Sequence, residues 1–407
     1  MTDNAAELGL SPERLARLDA LLAAQYLETR RLPCTLTMVA RHGEIAHIGV
    51  QGLADVERGL PAREDTIFRI YSMTKPITSV ALMMLVERGL IALDDPVHKY
   101  IPEWKNLGVY VAGTHRTGFQ TRPPARPMQV VDLFRHTAGL TYGFQLRTNV
   151  DAAYRAEKIG EIEKAGTLEG MIQALAKLPL EFSPGEAWNY SVATDVLGWL
   201  VQVVSGRPFE QFLDEEIFAP LGMVDTGFHV RDGQQHRFAA CYQPKRDGTI
   251  ELQDDPTTSA FLKPPSFVSG GGGLVSTAQD YLQFCRMLLN GGTLNGHRLI
   301  SRKTLDLMTA NHLPGDAAIS AMSRSLFSEA AYDGVGFGLG FATTLSAHKT
   351  LMPGSNRDYF WGGAASTFFW VDPEEDLIGI FMTQLIPSST WPVRKQMRTM
   401  VYAALDD

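Results

Sequence analysis

At 407 residues and a formal net charge of −8, the chain can bury a large core, and its charge excludes a broad basic surface for nucleic acid. The composition is that of a soluble globular protein, and no apolar run reaches the roughly 18 residues of a spanning helix, so neither nucleic acid nor a membrane is an expected partner. Three widely spaced cysteines, Cys34, Cys241 and Cys285, exclude a paired disulfide framework; with no basic-then-apolar leader at MTDNAAELGL, they point to a cytoplasmic protein.

In chain order, SPERLARLDALLAAQYLETR predicts a helix with Ser11 as N-cap and Pro12 at its first position, and Leu15, Leu18, Leu21 and Leu22 at helical spacing. CTLTMVARHGEIAHIGVQG predicts two strands joined at Arg41-His42-Gly43-Glu44. Residues 72–88 predict an apolar helix that Gly89 stops. Residues 106–127, rich in Gly, Thr, Arg and Pro, read as a loop, and MQVVDLFRHTAGL as a short helix and a turn. Residues 145–180 read as helical and polar, 192–213 as a helix apolar on one face, and 226–268 as mixed strand and loop. SGGGGLVSTAQDYLQFCRMLLNGG opens with Ser269 and four glycines and becomes helical near Thr277. GVGFGLGFA and FWGGAASTFFWVDPEEDLIGIFMTQ alternate as antiparallel strands do, and a helix near 390–404 closes the chain. Strands gather at both ends and helices in the middle. The expected fold is α/β of the α+β kind: one antiparallel sheet built from residues 1–70 and 270–407, flanked by helices, with a mainly helical lobe over 71–269 inserted and the site between the lobes.

The segment YSMTKP places Ser72 and Lys75 three apart where a polar loop meets the apolar helix. Positions i and i+3 share a helix face, so a desolvated Lys75 amine could take the Ser72 proton, and free N–H groups at the helix start favour an oxyanion. The plainer reading makes Ser72 an N-cap, and spacing alone leaves both open. A second copy, Ser346-Ala347-His348-Lys349, sits in a polar stretch with no apolar helix behind it and reads as chance. Tyr190, between the Pro184-Gly185 turn and an apolar helix, could relay a proton or simply be a core aromatic. In Phe360-Trp361-Gly362-Gly363-Ala364, two glycines in a strand fit either close approach of a substrate carbonyl to the Ala364 N–H or a bulge.

The order SxxK, then Tyr190-Ser191-Val192, then a late Gly-Gly strand resembles the serine β-lactamase and penicillin-binding-protein superfamily, and within it class C β-lactamases and the family VIII carboxylesterases of the same fold. The resemblance extends to LFRHTAGL at 133–140, PLEFSPGEAWNYS at 179–191, FAPLGMVDT at 218–226 and GGGGLVSTAQDYLQF at 270–284. It implies a single β-lactamase-like catalytic unit, with Ser72 as the acyl-forming nucleophile, Lys75 and Tyr190 as its proton acceptors and donors, and the backbone N–H groups of Ser72 and Ala364 as an oxyanion hole. It leaves open which of Lys75 and Tyr190 is the base, because their titrations are coupled. Val192 stands where class C enzymes carry an Asn, and Trp361 where they carry the Lys of Lys-Thr-Gly. An indole cannot pair with a β-lactam carboxylate, so Trp361, Gly362 and Gly363, with Tyr142 and Trp188, are expected to line a pocket for an uncharged substrate.

The expected activity is hydrolysis of small, short-chain carboxylic esters through an acyl-Ser72 intermediate, with weak β-lactam hydrolysis beside it. The rivals are an acyltransferase of this fold, a β-lactamase or D-Ala-D-Ala peptidase, and a silent binding scaffold, against which intact Ser72, Lys75 and Tyr190 argue. No cofactor and no metal are expected: there is no HExxH, and the GGGG run has no lysine after it. A Ser–His–Asp hydrolase is set aside for want of GxSxG, and His136 reads as structural.

Overall fold

Side chains alternate across a strand, so a sheet whose strands are apolar on both faces must be covered on both. The computed structural model describes residues 4–162, 165–324 and 333–406. Among these, β1 (Cys34–Arg41), β2 (Glu44–Asp55), β3 (Leu60–Pro61), β4 (Val335–Phe337), β5 (Ala342–Thr344), β6 (Tyr359–Gly362), β7 (Phe368–Asp372) and β8 (Leu377–Met382) form an eight-stranded antiparallel sheet. The order is β4-β5-β6-β7-β8-β1-β2-β3. The two ends of the chain meet at the β1–β8 ladder, where Leu36 pairs with Met382 and Met38 with Ile380.

The main helices are α1 (Pro12–Leu22), α2 (Thr74–Glu87), α3 (Ala193–Ser205), α4 (Ala278–Leu289) and α5 (Val393–Tyr402). On β7, Phe368 and Trp370 face a core closed by α1 and α5, while Phe369 and Val371 face the larger core that holds α2, α3 and α4. Every residue of α2 from Thr74 to Leu85 is buried, as a helix apolar all round requires. It packs against α3, and Gly89 at φ +70° ends it. Ser11 caps α1 through Arg14 N–H, and the helix continues past Leu22 as a wider, π-type turn over Ala23–Leu27.

Three expectations change. Residues 106–127 are no simple loop: Val109–Thr114 pairs with Gly118–Arg122, and the alternation of Val109, Val111, Phe119 and Thr121 was masked by their Gly, Thr and Arg neighbours. The helix expected over 192–213 breaks after Ser205, because Gly206 takes φ +70° and Pro208 has no N–H to continue the ladder; a short helix restarts at Phe209–Leu213. The helical stretch expected over 145–180 resolves into Asn149–Ala156 and Leu168–Leu175, and residues 163–164 lie outside the described residues.

No helix of the described residues is long and apolar enough to cross a membrane. Cys34, Cys241 and Cys285 are buried free thiols. Burial pushes the Cys34 thiol up to about 12 and the Cys241 thiol up to about 11, which keeps both protonated and unreactive.

Candidate active site

The segment Phe68–Arg69 pairs with Val275–Ser276, which ties the start of the SxxK motif to the glycine-rich stretch. The next residues form a tight turn, Tyr71–Met73, that runs into α2. Tyr71 sits at φ +41°, a left-handed conformation that costs a residue with a side chain about 1–3 kcal/mol. Met73, not Ser72, occupies the N-cap of α2, so the helix-cap reading of Ser72 gives way. Instead its Oγ lies 3.1 Å from Lys75 Nζ and 2.7 Å from the Tyr190 hydroxyl.

Lys75 is 2 % exposed. Its Nζ donates to the Gly271 carbonyl at 2.6 Å, lies 3.2 Å from the Tyr142 hydroxyl, and stands 4.5 Å from the centre of the Tyr190 ring. Burial, then the charges on Tyr190 and Asp195, push the Tyr142 phenol well above its ordinary value, so it is a neutral partner for the amine. The backbone of Tyr190 is anchored by Gln145, whose side-chain amide donates to its carbonyl at 2.5 Å. Its ring packs on Trp188, Trp361 and His136. His136 lies 3.2 Å from Ser191 Oγ through Nδ1, and burial, then the Lys75 charge, hold its imidazole well below the usual range. It is a neutral packing group behind the tyrosine.

The structure brings Ser72, Lys75, Tyr190 and Tyr142 together, but it moves four expected pocket residues out of the pocket. Trp361 is 1 % exposed, and Trp188 is equally buried; both lie beneath Tyr190 as its floor. The face of β6 that carries Trp361 is covered by Tyr190 and Phe337, so alternation turns the indole into the core. The two glycines admit protein rather than substrate. A Cβ on Gly362 would clash with the Arg394 guanidinium, and one on Gly363 would lie within 2.4 Å of the Ile70 carbonyl oxygen, just before the Tyr71–Met73 turn. Gly363 is therefore what lets the end of β6 press against the Tyr71–Met73 turn. Ala364, half-buried beside Tyr71, follows it, and its N–H makes no hydrogen bond among the described residues. Tyr142, expected as a pocket wall, reaches Lys75 with its hydroxyl instead.

Residues 20–395 match the Beta-lactamase family. The chain belongs to the beta-lactamase family. Its relatives include Protein Rv1367c of Mycobacterium tuberculosis (strain H37Rv), 36 % identical over 355 residues and 86 % of each chain. Esterase EstB of Burkholderia gladioli is 30 % identical over 412 residues and 95 % of each chain. Among solved structures, "EstCE1, a hydrolase with promiscuous acyltransferase activity" superposes with a TM-score of 0.79 at 27 % identity, covering 96 % of this chain and 99 % of that one. The β-lactamase-like fold expected from the motifs is the fold observed.

A cavity of about 440 Å³ reaches Tyr71, the residue before the serine, and its other walls include Phe228, Asp254, Phe261, Phe267, Gly272 and Gly273. None of these was singled out from sequence as pocket-forming. Phe228, Phe261 and Phe267 belong to the stretch 226–268, whose irregular pattern carries no period from which a wall could be inferred. Two further residues were missed: Gly271, whose carbonyl holds Lys75, and Asp195, which holds Gly271. An aspartate inside the apolar helix sequence ATDVLGWL was the available signal.

Proposed function

We propose that the protein is a carboxylesterase of the family VIII type that cleaves short-chain carboxylic esters through an acyl-Ser72 intermediate. One observation carries the reading: a single serine oxygen within hydrogen-bond reach of both a buried lysine amine and a tyrosine hydroxyl. In the proposed cycle Ser72 Oγ attacks the ester carbonyl while its proton passes to the Lys75–Tyr190 pair. The Ser72 and Ala364 N–H groups stabilise the oxyanion. Tyr190 returns a proton to the leaving alkoxide, and the same pair then activates water to release the acid. The cavity walled by Tyr71, Phe228, Phe261 and Phe267, with Gln253, Asp254 and Thr258 also in its lining, would take an uncharged part of the ester.

Trp361 supports the choice of ester over β-lactam. Its buried indole offers no cation to a carboxylate, so β-lactam hydrolysis would be weak. The likeness to EstCE1 favours a second reading, transfer of the acyl group to an alcohol, which differs only in what reaches the acyl-enzyme. The three free, buried thiols are the ground for proposing that the enzyme works in the cytoplasm. The test is a series of p-nitrophenyl esters of rising acyl length beside a chromogenic cephalosporin, with and without an added alcohol. Turnover should be fastest with short acyl chains and far slower with the cephalosporin. Rapid cephalosporin turnover with poor ester turnover would reverse the substrate assignment, and loss of hydrolysis to ester exchange would favour the transferase.

A further inference from the structure

Asp195 is 0 % exposed in the first turn of α3. Burying an unpaired charge there is expensive, so its surroundings should explain it. One oxygen is well served: Oδ1 accepts from Ser269 Oγ at 2.6 Å and from the Gly271 N–H at 3.0 Å. The other, Oδ2, has no hydrogen-bond partner among the described residues. It is nevertheless pressed against Gly271, where a Cβ would lie 2.7 Å away. The carbonyl of that same glycine accepts from Lys75 Nζ at 2.6 Å. One residue therefore carries a carboxylate on its N–H side and an amine on its C=O side.

An ordinary helix-capping role does not account for this. An acidic residue at the third helical position usually turns back to the N-cap N–H. Here that N–H belongs to Val192 and is already given to the Thr141 carbonyl at 3.3 Å.

We propose that Asp195 is the buried counter-charge of the Lys75–Tyr190 pair, a positioning residue that acts through Gly271; the proposal rests on the reading of Ser72, Lys75 and Tyr190 as the reacting group. The titratable groups around the amine include Tyr142 and Tyr190 from the loops, His136 behind them, and Asp195 from α3. His136 is neutral and Tyr142 is a neutral phenol, and Asp195 is the carboxyl group held on the N–H side of the glycine whose carbonyl holds the amine. A fixed negative charge favours an ammonium over an amine and a phenol over a phenolate. Removing it pushes both titrations toward lower pH. The direction is the same whichever of the two groups is the base.

The variant Asp195→Asn keeps an oxygen for Ser269 and Gly271 and removes the charge. Ser269→Ala removes a hydrogen bond and keeps the charge. Both are compared with wild type in the pH profile of kcat/KM for a p-nitrophenyl ester, and in trace acetylation of Lys75 by acetic anhydride, read by peptide mass across the same pH range. The acidic limb of Asp195→Asn should move down by roughly one pH unit, with Lys75 acetylated roughly tenfold faster at neutral pH. Ser269→Ala should melt earlier but keep its limb within about 0.3 unit of wild type. An unmoved limb in folded Asp195→Asn, or an equal shift in both variants, overturns the proposal. If wild type hydrolyses no ester, the esterase reading falls, and the acetylation titration still decides whether Asp195 governs Lys75. If Asp195→Asn does not fold, Gly271→Ala displaces the carboxylate from the other side and must shift the Lys75 titration in the same direction; no shift there overturns it as well.

Discussion

The chain carries the spacing Ser-x-x-Lys twice, and the two copies could hardly differ more in surroundings. Ser72 and Lys75 stand at the entry to a buried helix, with the lysine 2 % exposed and held by a backbone carbonyl and two tyrosine hydroxyl or ring contacts. Ser346 precedes a four-residue turn of helix, Ala347–Thr350; its Oγ lies 3.0 Å from His348 Nδ1, and Lys349 is exposed to water. Helical spacing can bring a serine and a lysine to one face in either place. Only the first copy removes the amine from water and adds a phenol on the far side of the serine oxygen. On the proposed reading, desolvation and the third partner make the chemistry, and the motif merely permits it.

The sharpest break of that comparison is to delete each serine. Ser72→Ala should lower ester turnover by at least about 10³-fold, whereas Ser346→Ala should leave it within about twofold of wild type. Next comes the phenol that the exposed copy lacks. Tyr190→Phe keeps the ring on Trp188 and Trp361 but removes the proton donor, and should cost about 10²–10⁴-fold in kcat with little change in stability. Tyr142→Phe removes one contact to Lys75 and should cost about tenfold in kcat, with KM unchanged.

The smallest expected effect concerns pH and stability. Burial, then the Lys75 charge, hold His136 well below the ordinary imidazole value of 6.5 in the folded protein. Below that pH the unfolded chain binds a proton that the folded chain does not. Stability contributed by the neutral ring is therefore complete above about pH 6.5 and falls as the pH drops toward the folded value, by at most about 1.4 kcal/mol per pH unit. Urea titrations between pH 7.5 and 5.5 should show this slope in wild type and a flatter one in His136→Asn. An equal slope in both would mean that His136 is protonated in the folded state.

Much of the architecture was legible because it rests on period and punctuation. The strands at 34–55 and 359–382 alternate, α2 is an unbroken apolar run, and Gly89 and Thr277 mark ends where they were expected. The break at Gly206 to Pro208 was equally written in the chain, but the apolar pattern on either side of it outweighed the two residues. In the site, Ser72, Lys75 and Tyr190 could be proposed from a motif pattern. Their support could not: Gly271 lies 196 positions from Lys75, and Asp195 lies 76 from Gly271, so no local spacing connects them. Nor does alternation tell whether the face carrying Trp361 is open or covered. It is covered, by Tyr190 and Phe337, which is why an expected pocket wall turned out to be a floor.

The central claim is that burial and a third partner single out one serine of two. It is tested most directly by exposing the protein to a serine-reactive phosphonate ester and mapping the adduct by intact and peptide mass. A single adduct on Ser72, absent in Ser72→Ala and retained in Ser346→Ala, is the predicted result. No adduct on wild type, an adduct on Ser346, or undiminished labelling of Ser72→Ala would contradict it.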